Sequence, residues 1–129
     1  MNTSSKSELE DFHEDILGKT MRGLGIGKNE MAQRLCVGRP EIEAILLGEV
    51  DVTLIKAMAV ELQLDGEKLI QSACKNWSPA PVLLRGLRQI STSYGDMIVN
   101  AYVVWDEDSR NAWVFDTGTD AQPILAFIE

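Results

Sequence analysis

The chain has 129 residues, 45% of them hydrophobic, with twelve Lys/Arg against twenty Asp/Glu and a formal net charge of −8. That length holds one domain or two small ones, and the acidic balance opposes non-specific attraction to nucleic acid. The opening MNTSSKSELEDFHED has neither the basic start nor the apolar run of a signal peptide, and no later stretch approaches the roughly 18 apolar residues of a membrane span, so a soluble cytoplasmic protein is expected.

Residues 1–7 are polar and are expected to be disordered. From about Glu8 the apolar positions Phe12, Ile16, Leu17, Met21 and Leu24 follow a helical stripe, with Ser7 as the cap, and GLGIG at 23–27 breaks that helix. GLGIGK has the look of a phosphate-binding glycine loop, but Lys28 stands where the third dinucleotide glycine would fall and no strand precedes the run. A helix break is the stronger reading. The next segment, GKNEMAQRLCVGRPEIEAILLG from Gly27 to Gly48, places Met31, Ala32, Leu35, Val37, Ile42 and Ile45 where two short, steeply crossing helices need apolar or small residues. Asp51 or Thr53 caps a fourth helix with Leu54, Ile55, Met58, Ala59 and Leu62 facing inward, and Asp65 caps a fifth carrying Leu69 and Ile70.

NWSPAP then reads as a linker, because Pro79 and Pro81 cannot continue a helix. After Leu84 the period changes to alternation. LRQIST, MIVNAYVVWDE and NAWVFDTG predict three strands, with a hairpin turn at 106–111, and Thr119 or Asp120 caps a last helix that sets Ile124, Leu125 and Ile128 on one face. The expected architecture is therefore α+β: residues 8–76 a five-helix domain, 77–83 a linker, and 84–129 a three-stranded antiparallel segment with a terminal helix.

The helical half, over roughly Leu17 to Ala73, resembles the five-helix domain of phage repressors and Cro proteins, the Xre-like family. The resemblance implies a lambda-repressor-like helix-turn-helix fold and a transcription regulator that reads DNA with the second helix of the pair. It assigns DNA contacts to Lys28, Gln33, Arg34, Arg39, Glu41 and Glu43. Arg39 can make a bidentate contact to guanine, while Pro40 offers no donor and Ala44 can touch only a thymine methyl. Glu41 and Glu43 face a polyanion unless they accept from a cytosine amine, so weak binding is expected. Lys28, Arg34 and Arg39 read equally well as a small basic patch or as ordinary solvated charges. Leu46 and Leu47 stand where polar residues usually face phosphate and are candidates for a protein interface, which gives the alternative of an interaction or dimerisation module. Cys36 occupies the usual glycine position of the turn, so strain or a shift is expected there.

The second half carries its own resemblance. Gly95 to Glu129, with Asn100-Ala101-Tyr102 on one strand and Asp116-Thr117-Gly118 closing the next, looks like the opening of a metallo-β-lactamase-fold hydrolase of the glyoxalase II-like branch. That family holds its metals with a His-x-His-x-Asp-His cluster on a later loop, and His13 is the one histidine of this chain. No catalytic residue, metal ligand, cofactor or small-molecule substrate is therefore expected for this chain, and hydrolysis would belong to a longer parent.

Among the remaining residues, His13 is expected on a helix surface, and Cys36 and Cys74 as small buried hydrophobes in a reducing compartment. Asp106-Glu107-Asp108 reads as a solvated turn ahead of a cation site, Asp116 as the cap of a turn near Gly118, and Trp77, Trp105 and Trp113 as packing. An apolar face with Val103, Trp105, Val114 and Ile124 is expected to be left exposed beside a free strand edge, which favours a homodimer.

Overall fold

The computed structural model describes residues 9–80 and 83–129. The disorder expected at 1–7, the Ser7 cap and residues 81 and 82 of the linker lie outside the described residues. The chain is α+β. It divides into a helical unit, Asp11–Trp77, and a sheet unit, Ser78–Glu129 together with the segment up to Glu10.

The helical unit contains α1 (His13–Leu24), α2 (Lys28–Leu35), α3 (Arg39–Leu46), α4 (Val52–Glu61) and α5 (Gly66–Ala73). The apolar periodicity fixes which faces turn inward. Leu17, Met31, Ile42, Ile45, Ile55 and Met58 are almost completely buried in one cluster, with Ile16, Leu35, Val37 and Leu46 packed around it. Asp51 caps α4 by accepting from the Leu54 N–H (2.9 Å), and Asp65 caps α5 through the Glu67 and Lys68 N–H groups. At the far end of α1, Gly25 takes the left-handed conformation (φ 69°) and its N–H returns to the Arg22 carbonyl.

Several expectations are corrected. Helix α1 starts at His13 and not near Glu8, because Phe12 is extended and the Asp15 carboxylate accepts its N–H at 3.3 Å. Leu24, predicted on the apolar stripe, is exposed. His13 is no surface residue: it is 2% exposed. Its Nε2 lies 3.1 Å from the Glu49 carbonyl, which can only accept, so this nitrogen carries the proton; Nδ1 lies 2.8 Å from a Glu14 carboxylate oxygen. The Glu49 carbonyl satisfies one ring nitrogen, while Nδ1 and the Glu14 oxygen beside it make no hydrogen bond among the described residues. Cys36 and Cys74, expected to be buried, are both exposed free thiols, because each sits at the end of a helix and not on its inward stripe.

In the sheet unit, β1 (Leu87–Tyr94), β2 (Met97–Trp105) and β3 (Ala112–Phe115) form an antiparallel sheet in the order β1-β2-β3. Gly95 and Asp96 make the tight turn between paired Tyr94 and Met97, with Gly95 at φ 61°. The 106–111 turn is held by Asp106, whose carboxylate accepts from the Asp108 N–H and the Ser109 hydroxyl. These bonds, the Asp108 one foremost, hold its carboxyl below the usual range. Asp116 caps its turn by accepting from the Thr117 and Gly118 N–H groups. Beyond the end of β3, the Asn100 N–H donates to a Glu10 carboxylate oxygen at 2.5 Å.

Helix α6 (Gln122–Ile128) has Ala121 at its N-cap, one residue beyond Asp120 and two beyond Thr119, the two predicted caps, although Asp120 still accepts from the Gln122 N–H. It covers one sheet face. Ile124 is buried against Ala101 and Val103, and the Phe127 ring tilts onto Trp105 at 5.4 Å between centroids. Val103, Trp105 and Ile124 are therefore not the exposed apolar face that was expected. Leu125 and Ile128, predicted to share a face with Ile124, are exposed. The uncovered apolar groups lie on β3, where Trp113, Val114 and Phe115 are all exposed, and Trp77 is exposed as well. No helix among the described residues is long and apolar enough to cross a membrane.

Candidate nucleic-acid interface

Helices α2 and α3 are joined by the three residues Cys36, Val37 and Gly38. Cys36 takes φ 54° and ψ 40°, so the turn keeps the left-handed geometry that glycine would favour, with a side chain in it. The Val37 N–H returns to the Ala32 carbonyl, and Val37 packs half-buried against the core. Pro40 suits the first turn of α3, where no N–H is needed, and Glu41 reaches back to accept the Gly38 N–H at 2.6 Å. With Ile42 and Ile45 turned inward, α3 presents Arg39, Pro40 and Glu41 to solvent, with Glu43 and Ala44 half-exposed.

The six DNA-contact candidates do not form one free surface. Lys28 from α2 and Arg39 from α3 converge on a single oxygen of Glu43, Lys28 Nζ at 3.3 Å and Arg39 Nε at 3.0 Å. These hydrogen bonds, Arg39 first and Lys28 second, hold the Glu43 carboxyl below the usual glutamate range. Arg39 also donates to the Asn29 side-chain oxygen at 3.4 Å. Arg34 lies apart from this cluster, paired with Glu30 at 2.6 Å and Glu61 at 3.5 Å, which favours its protonated form. Glu41 is occupied as a backbone cap and is not poised to read a base. Gln33 is exposed on α2 with no side-chain hydrogen bond among the described residues.

The two leucines proposed as an interface separate. Leu46 packs half-buried against the core, because it continues the inward stripe of α3. Leu47, the residue after α3, is 87% exposed.

Sequence reasoning missed the acidic partners. Glu30–Arg34 and Arg39–Glu43 are both i,i+4 pairs and were legible from spacing alone. The contacts of Lys28 with Glu43 and of Arg34 with Glu61 depend on how the helices pack. No group of three or more His, Cys, Asp or Glu side chains among the described residues is placed to hold a metal ion. Comparison of the chain with protein-family models, with curated proteins and with solved structures finds no match.

Proposed function

We propose that the helical unit is an Xre-like helix-turn-helix module of a cytoplasmic transcription regulator, that α3 is its reading helix, and that Glu43 restrains its binding to DNA. One observation carries the reading: two cations from two helices hold one oxygen of one carboxylate. An oxygen in that position stands where a phosphate oxygen would sit if the surface met a DNA backbone. DNA must therefore displace Glu43 before Lys28 and Arg39 can neutralise phosphate, and binding is weak and sensitive to salt. Arg39 remains the side chain with base-reading geometry.

The test is Glu43→Gln in the full chain, read by fluorescence anisotropy with labelled duplex DNA across a salt series. The expected outcome is about tenfold tighter binding at low salt and a log–log salt slope steeper by about one to two, as each freed cation neutralises about one phosphate. Unchanged or weaker binding by Glu43→Gln overturns the reading.

A second reading, an interaction module, is favoured by Leu47, whose exposed side chain suits an apolar contact better than a phosphate. In that case Leu47→Ala weakens a protein contact and Glu43→Gln changes nothing with DNA. On either reading the sheet unit is the opening of a metallo-β-lactamase-like hydrolase domain. The supports are the order β2, β3, Asp116-Thr117-Gly118 turn, α6, and the place of Asn100 on β2.

A further inference from the structure

The flank of α3 next to the Arg39–Glu43 pair has a different chemistry. There Pro40 and Ala44 face the first half of α4 across a groove of about 490 Å³. Its floor is apolar: Val37, Ile45 and Leu54 lie along it, and Ala57 continues it on α4. Its rim is acidic, with Glu41, Glu49 and Asp51, and among the described residues no Lys or Arg lines it. Glu41 and Asp51 each give one oxygen to a backbone N–H, which satisfies a donor but cancels no charge. None of the three has a cationic partner among the described residues.

Three uncompensated carboxylates around an apolar floor repel DNA and other acidic surfaces and attract a cationic, apolar one. The walls are helices whose backbone groups are bonded internally, so an extended peptide would find no main-chain ladder to join. An occupant must satisfy its own backbone, and a helix does so. We propose that this groove receives a partner protein's amphipathic helix whose apolar stripe is flanked by Lys or Arg.

The probe is a short synthetic peptide with leucines at i, i+3, i+4 and i+7 and lysines elsewhere, titrated into the isotope-labelled 129-residue chain and followed by amide chemical shifts. Shifts concentrated at Val37, Ala44, Thr53 and Ala57 are expected, with affinity lower by about tenfold when glutamate replaces lysine in the peptide. Glu49→Lys should weaken the lysine peptide several-fold, whereas Asp96→Lys, the same charge change in the sheet unit, should not. Ala44→Arg, which fills the groove, should abolish the localised shifts while the helical circular dichroism is retained. Equal affinity for both peptides, shifts centred elsewhere, or equal effects of Glu49→Lys and Asp96→Lys overturn the proposal. So does movement of the same amides with protein concentration and no peptide, since a second copy would then be the occupant. None of these variants alters Lys28, Arg39 or Glu43, so the outcome is independent of the DNA test.

Discussion

Replacing Cys36 by glycine should stabilise the helical unit. Cys36 is held at φ 54°, a region that costs an L-residue with a Cβ roughly 1–2 kcal/mol. Glycine removes that cost but brings back about 0.5–1 kcal/mol of chain entropy lost on folding. The side chain gives little in return, since Cys36 is exposed and its sulfur has only a 3.8 Å contact with the Gln33 carbonyl. The balance is a gain of about 0.5–1 kcal/mol, or about 3–6 °C in Tm for a unit of this size. Urea unfolding followed at 222 nm checks it, with the midpoint rising and the m-value unchanged. Two other residues serve as internal comparisons. Gln63 (φ 56°) stands in the same conformation with an exposed side chain, so Gln63→Gly should gain as much. Lys75 (φ 54°) places its ammonium 4.8 Å from the Phe12 ring centroid, so Lys75→Gly should gain less. A Cys36→Gly protein no more stable than wild type, beside a stabilised Gln63→Gly protein, would refute the argument from turn strain.

Two further predictions follow from charge and from the strand edge. The Glu43 carboxyl, held low in the folded chain, adds stability that is complete above the ordinary glutamate pKa and is lost as pH falls through its lowered value; carbon-detected titration should show Arg39→Ala returning its midpoint further toward normal than Lys28→Ala does. The four-residue β3, with Trp113, Val114 and Phe115 exposed and no strand on its outer side among those described, should pair with β3 of a second copy, and light scattering should report a dimer that Val114→Lys dissociates; a monomeric wild-type chain with protected β3 amides would refute that pairing.

The parts of the fold that follow from periodicity were readable in advance. Met31, Ala32, Ile42, Ile45, Ile55 and Met58 are buried where a 3.6-residue stripe puts them, and Asp51 and Asp65 cap the helices they precede. What failed depended on contacts between distant residues. His13 reads as a polar residue on an acidic stretch, and only the Glu49 carbonyl, 36 residues away, explains its burial. The cover of Val103 by Ile124 likewise needs α6 to fold back on the sheet. At the candidate interface, the residue types were legible but their availability was not. Spacing pairs Arg39 with Glu43, while the arrival of Lys28 at the same oxygen is a property of how α2 meets α3.

The Glu10–Asn100 hydrogen bond joins residues 90 apart in sequence, and all of the chain between Glu10 and Ser78 is the helical unit. The helical unit is thus an insertion within the sheet unit, and its two ends meet, since Lys75 lies over the Phe12 ring. On the ribosome the insertion can complete its core while Glu10 waits for a strand not yet made. To the sheet unit, the folded insertion then counts as a short bridge, and the entropy of closing it is that of a small loop. Such a module can be lengthened, exchanged or removed without changing the distance its host must span.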